Sequence, residues 1–232
     1  MRLLVIASDP REFAGILAHA QPVAQALRLP VDWARPVKLG LHELLLAANG
    51  AGWNRAAAAV DAAAPEFRPE AVVSTGFCGA LDESLEVSDL VLGTSIYAAG
   101  RQYAAAPLSC AAGARRGAVC SIDHVARTSG EKRSLRASGA CAVAMEAGGV
   151  AARAENLGLP FYCVRAVTDL ANENMANDFN AALRSDGHFD TIKVLQGTLR
   201  HPIARLPELL RLRSRCVRAA RALGDFFADS RF

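Results

Sequence analysis

Three acidic positions stand where a carboxylate has a restricted choice of roles. A buried carboxylate must pair with a cation, accept hydrogen bonds or move a proton. Glu12 follows the apolar run Leu3–Ala7 and the turn Ser8-Asp9-Pro10. By position alone it is either an ordinary first-turn acid favoured by the helix dipole or a group held at a strand end. Glu146 is surrounded by Ala142-Val143-Ala144-Met145 and Ala147-Gly148-Gly149-Val150. It is either an exposed or capping acid, or a buried one that needs partners. Asp169 ends the segment Arg165-Ala166-Val167-Thr168-Asp169, and Arg165 interrupts a run that otherwise reads as buried. An arginine there wants a carboxylate, whether as a structural ion pair or as part of a site.

The elements that would position these groups follow from the pattern. Leu3–Ala7 reads as a buried strand, and Arg11–Ala20 as a helix with Ser8 or Asp9 as cap and Pro10 in its first turn. Val31–Val37 is a weak strand, and Leu41–Ala48 is strand or helix. Trp53–Ala64 is a helix ended by Pro65. Ala71–Thr75 is a strand running into a glycine loop, Gly76-Phe77-Cys78-Gly79. Leu90–Tyr97, Ala118–Ile122 and Phe161–Thr168 are further strands. Ala142–Leu157 is a helix, or a short strand leading into one, stopped by Gly158 and Pro160. Two glycines inside that helix cost about 1 kcal/mol each relative to alanine, so it packs tightly against something. From Asp178 onward the chain is helical, broken near Pro202 and Pro207. The expectation is a single α/β domain over residues 1–232, with a mixed, mainly parallel central sheet flanked by helices. Sites in such sheets form at the carboxyl ends of strands. That brings together Ser8–Glu12, Gly76–Gly79 and Thr168–Asp169.

Composition excludes several classes. The net charge of +3 is too mild to imply nucleic acid. No run of about 18 apolar residues could span a membrane. The six cysteines form no CxxC pair, which fits reduced thiols in a cytoplasmic protein and argues against zinc. No metal and no cofactor is expected. The basic excess is concentrated in Arg200, Arg205, Arg211, Arg213, Arg215, Arg218 and Arg221, relieved only by Glu208. Among them Leu206, Leu209, Leu210, Val217 and Ala220 form a helical apolar stripe. This segment is either a core helix with a solvated basic face or a helix that rests on an anionic membrane surface.

Four segments resemble the nucleoside phosphorylase and nucleosidase superfamily: VIASDPRE (Val5–Glu12), VVSTGFCGALDESLEVSDLVLG (Val72–Gly93), AVAMEAGGVA (Ala142–Ala151) and LPFYCVRAVTD (Leu159–Asp169). They occur in the family's order. The resemblance implies cleavage of a purine nucleoside's N-glycosidic bond. It makes Met145 and Glu146 the ribose contacts, Asp169 the acid that protonates purine N7, and Thr168 its orienting neighbour. Gly76, Phe77 and Val125 line the substrate, and Arg165 orders Glu146 or Glu12 from behind. Family nucleosidases place a water-activating carboxylate where Glu12 stands, whereas phosphorylases place a phosphate-binding arginine there. Glu12 therefore favours water, although Arg11 is adjacent; inorganic phosphate would be the co-substrate of a phosphorylase.

Departures from the pattern are Phe77 for a small hydroxyl residue, Val125 for a stacking aromatic and Ala144 for a polar residue. The segment Asp186–Cys216 is similar to the hopanoid-associated phosphorylase group, which implies adenosylhopane as substrate. Methylthioadenosine/S-adenosylhomocysteine nucleosidase, futalosine hydrolase and a catalytically silent nucleoside-binding module are the alternatives. The resemblance also implies a homodimer or higher homo-oligomer.

Overall fold

The computed structural model describes residues 1–24, 27–108, 113–230 and 232. Strand β1 (Arg2–Ala7) is buried from Leu3 onward because its alternate side chains enter two different cores. Leu4 and Ile6 pack with Val60, Ala63 and Val150, while Leu3, Val5 and Ala7 pack with Ile16, Leu223 and Phe227. The period-two alternation of a strand thus demands apolar residues at every position, as in sheets covered on both faces. Helices α2 (Trp53–Phe67) and α4 (Ala147–Leu157) cover the first face. Helix α1 (Ala14–His19) and the last turns of α7 (Pro202–Asp229) cover the second.

Strand β1 lies between β4 (His42–Ala48) and β5 (Ala71–Ala80), parallel to both. Strands β3 (Trp33–Leu39) and β2 (Gln21–Pro22) extend that edge in antiparallel fashion. Strand β10 (Phe161–Asp169) runs parallel to β5 and antiparallel to β6 (Leu90–Ala98), to which β7 (Arg101–Ala104) is attached. From β6 the pairing continues through β8 (Arg115–Ser121) and β9 (Ala140–Ala144) back to β5. The sheet is mixed, as expected, but β5, β10, β6, β8 and β9 also close into a ring.

Several boundaries differ from expectation. Pro65 does not end α2, which continues to Phe67 and stops at Arg68 in the left-handed conformation. Pro65 and Asp61 both face solvent, so the carbonyl that loses its donor is open to water, while Phe67 is drawn into the core. The expected glycine loop is strand: β5 continues through Gly76–Gly79, paired with Arg165–Asp169 of β10. Leu41–Ala48 resolves as strand, and Ala142–Leu157 as strand then helix, with Gly158 at φ 65°. The tight partner of Gly148 and Gly149 is Trp53: a side chain on either glycine would collide with its ring or its carbonyl. In the tail, α5 (Phe179–Ala182) stops after one turn and residues 183–190 are not helical, because Leu183 forms a bridge to Phe189; a further break falls between α6 (Thr191–Arg200) and α7, and Pro207 is accommodated inside α7.

Candidate active site

The turn after β1 builds the first carboxylate. Asp9 caps the 3-10 helix Pro10–Phe13 and Glu12 reaches back to the cap, a reciprocal capping box. Glu12 Oε2 accepts from Ser8 N (2.8 Å), Ser8 Oγ (2.9 Å) and Asp9 N (3.0 Å), and its Oε1 accepts from Phe77 N (2.8 Å). Four donors fix a buried side chain that is only 4% exposed. Burial pushes its carboxyl above the ordinary value and the nearby Glu146 charge adds to that; the Phe77 N–H and Arg165 oppose it. Arg11 turns away, with its guanidinium on Asp9 at 2.8 and 2.7 Å.

Glu146 lies at the junction of β9 and α4. Its Oε2 accepts from Arg165 Nη1 at 3.1 Å and from Met145 N at 3.3 Å. Arg165 is fully buried and its Nη2 also donates to Ser74 Oγ (2.6 Å). The carboxylate demanded by an arginine in a buried strand is therefore Glu146, and Glu12 feels the same cation at longer range. Met145 is half-buried beside it.

Asp169 ends β10. A side chain at Gly79 on the paired strand would bring a Cβ within 2.8 Å of its Oδ2. Its Oδ1 accepts from Thr168 Oγ1 (3.1 Å), and its Oδ2 accepts from Lys132 Nζ (2.5 Å). Burial pushes this carboxyl upward, against the lowering effects of Lys132 and Thr168. Helix α7 crosses the same end of the sheet: Arg215 Nη1 donates to Thr168 O (3.4 Å). The Cys216 thiol is pushed up to about 12 by burial, with the charge of Glu12 adding to it.

The strand ends thus bring Glu12, Gly76, Phe77, Glu146, Arg165, Thr168 and Asp169 together, as the placement at carboxyl ends requires. Val125 is hydrogen-bonded to none of them; Asn180 accepts from its N–H (2.8 Å) and donates to its carbonyl (3.0 Å). Sequence reasoning misses Lys132, Ser74 and Asn180. Lys132 sits in SGEKRSLR, which reads as a solvated helix (α3, Ser129–Arg136). The signal that finds it is Leu135, the single large apolar residue of that helix, three positions on and so on the same face. A cavity of about 170 Å³ lined by Leu92, Thr94, Pro107 and Tyr162 holds no carboxylate and lies toward the opposite end of β10. Among the described residues, no group of three or more His, Cys, Asp or Glu could hold a metal.

A family model described as the phosphorylase superfamily matches residues 2–189. The chain belongs to the phosphorylase superfamily. This superfamily member is 28% identical over 171 residues to 5'-methylthioadenosine/S-adenosylhomocysteine nucleosidase of Staphylococcus aureus strain JH9, spanning 61% of this chain and 75% of that protein. Its fold is that of the corresponding nucleosidase of S. pneumoniae, solved with a transition-state inhibitor (TM-score 0.73, 19% identity, 99% of both chains). It is also that of Helicobacter pylori futalosine hydrolase (TM-score 0.72, 14% identity, 99% of this chain and 96% of that one). Like its relatives in the superfamily, it is an enzyme.

Proposed function

We propose that the protein hydrolyses the N-glycosidic bond of a 5′-substituted adenosine. The observation that carries this reading is the pair of buried carboxylates, Glu12 after β1 and Asp169 at the end of β10, held on either side of β5, both pushed upward by burial. In the reaction, Asp169 gives its proton to purine N7 as the C1′–N9 bond breaks, so the base departs neutral from an oxocarbenium-like transition state. Glu146, already turned by Arg165, accepts hydrogen bonds from the ribose hydroxyls beside Met145. Glu12 takes a proton from the water that adds to C1′. Gly76 and Phe77 supply the backbone beside the sugar, Thr168 orients Asp169, and Val125 borders the base.

Water is favoured over phosphate by Arg11. Its guanidinium is engaged with Asp9 at the surface, which leaves the Glu12 carboxylate, a repulsive neighbour for phosphate, as the charged group at that turn. The 5′ substituent we assign is a lipid, with adenosylhopane as the candidate. Its support is the tail's resemblance and an exposed apolar face on α6 and α7: Ile192, Leu195, Leu199, Ile203, Leu206 and Leu210. The protein would then work in the cytoplasm, as a homodimer, with that face against the membrane. The deciding experiment follows adenine release from methylthioadenosine, S-adenosylhomocysteine and a 5′-alkyl adenosine, with and without phosphate. Free ribosyl product without phosphate is expected. Ribose 1-phosphate, formed only with phosphate, would replace hydrolysis by phosphorolysis; binding without release from any of them would mark a silent nucleoside-binding module.

A further inference from the structure

Lys132 has no exposed surface, although the helix that carries it has Leu135 as its single large apolar residue. Its Nζ lies 2.5 Å from Asp169 Oδ2 and 2.7 Å from the carbonyl of Leu170. Removing an ammonium from water is expensive, and two packed apolar side chains would tie α3 to β10 more cheaply. The other charges facing this pair are already matched. Glu173, just after β10, is bound by Arg215 of α7 at 2.6 and 2.8 Å, and Arg211 also acts on it. The nearest thiols, Cys78 of β5 and Cys216 of α7, are held neutral by burial. Among the described residues, Lys132 is the one cation hydrogen-bonded to Asp169.

We propose that Lys132 is the positioning residue for Asp169: its ammonium fixes Oδ2 and compensates the carboxylate that remains once Asp169 has released its proton to the base. The inference rests on the nucleosidase reading. With Oδ2 taken by the ammonium, the transferable proton is carried on Oδ1. That proton goes to N7, and the electron pair of the C1′–N9 bond leaves with the base. Asp169 becomes a carboxylate facing Lys132 and the Thr168 hydroxyl. Water then adds to C1′ and gives its proton to Glu12, and both acids return to their starting states by exchange with solvent. Lys132 makes Asp169 a stronger acid than burial alone would leave it.

The test compares Lys132→Met and Lys132→Arg in the wild-type and Asp169→Asn backgrounds, using the nucleoside that the wild type cleaves. Lys132→Met is expected to lower kcat at least 10-fold with little change in KM. It should also move the alkaline limb of the pH profile upward, and add nothing once Asp169 is Asn. Lys132→Arg should recover part of the loss. Lys132→Gln replaces the Met variant if that one does not fold. A limb that stays in place, or losses that multiply with Asp169→Asn, would reduce Lys132 to a structural tie. An arm independent of turnover reads the Asp169 carboxyl by infrared difference spectroscopy against Asp169→Asn. Its titration should rise in Lys132→Met, and an unchanged midpoint overturns the proposal. A wild type that cleaves no nucleoside but shows the infrared shift would instead refute the nucleosidase reading and leave the coupling intact.

Discussion

Gly76 and Glu12 fit together because Gly76 has no side chain: a Cβ there would stand 2.5 Å from Glu12 Oε1. Gly76 also has φ of +123°, a conformation that L side chains rarely adopt. The two demands coincide, since the unusual backbone is what brings the Phe77 N–H onto Oε1 at 2.8 Å. Gly76→Ala is therefore expected to destabilise the protein by about 1–3 kcal/mol from backbone strain alone. It should also cut turnover by more than stability accounts for, because Glu12 must shift. Thermal melts and kcat measured on the folded fraction check this; an active, equally stable Ala variant would mean that Glu12 is not held as described.

Asp169→Asn keeps the shape and removes the transferable proton. A loss of turnover of at least about 10²-fold is expected, within the range for a general acid, with the fold intact. Above the pH at which Asp169 ionises, the variant should lose some stability as well, because the buried Lys132 ammonium is then left without its counter-charge. Turnover close to wild type in a folded Asp169→Asn protein would take Asp169 out of the mechanism.

The parts of this site that the sequence exposes and those it hides differ for a physical reason. Glu146, Arg165 and Asp169 stand out because each is a charge in an apolar run, where burial is costly and partners are obligatory. Three of the four hydrogen bonds that hold Glu12 come from the backbone of Ser8, Asp9 and Phe77, which no side-chain pattern encodes. Lys132 is hidden by its neighbours Glu131 and Arg133, which make its helix look solvated. The closing of the ring between β5 and β10 is equally silent. Both strands are buried on both faces, so neither register nor partner is written in an alternation of polar and apolar residues. Pro65 misleads in the opposite direction, because a helix tolerates proline where the abandoned carbonyl meets water.

The two carboxylates predict a bell-shaped dependence of kcat/KM on pH. Glu12 must be ionised to take a proton, so activity falls as pH drops through its raised value. Asp169 must be protonated to give one, so activity falls again as pH rises through its own raised value. Glu12→Gln should abolish hydrolysis while nucleoside binding survives, since base and sugar are held elsewhere. Isothermal titration with a substrate analogue separates the two effects. Turnover that depends on phosphate and is indifferent to Glu12→Gln would establish phosphorolysis instead.

Stability should show a distinct acid-side signature from Glu173. The bidentate hydrogen bonds from Arg215 pull its carboxyl down to about 2, from an ordinary value of 4.5. A depressed carboxylate contributes stability that is fully present above the unfolded value and is lost as pH falls through the folded one. The window is therefore roughly pH 4.5 to 2. In Glu173→Gln the melting temperature should fall less steeply across that window than in the wild type, with the two curves parallel above it. Identical slopes would mean that the Arg215 pair adds nothing to stability.

The tail divides its apolar stripe between two environments. Ala220 lies in the core, whereas Leu206, Leu210 and Val217 are 46%, 59% and 66% exposed. On α6, Ile192, Leu195 and Leu199 recur at three and four residues and are also exposed, so the open apolar face runs through both helices. Not every arginine is available to a surface. Arg215 is committed to Glu173, and Arg205 donates to the carbonyl of Gly197. Arg200, Arg211, Arg213 and Arg218 are exposed. A basic residue near an anionic bilayer contributes about 1 kcal/mol at most, so four give up to roughly 10²–10³-fold in partitioning at low salt. The expected outcome is co-sedimentation with anionic liposomes, absent with neutral ones, lost in high salt, and lost when those four arginines become Gln. Leu199→Ser with Ile203→Ser should weaken binding in low salt too, because the apolar face supplies the salt-insensitive part. Gel filtration of the same variants distinguishes a membrane from a second copy of the chain. If the serine variant turns an oligomer into a monomer and liposomes capture neither protein, the face is a subunit interface, and the lipid-linked substrate loses its structural support.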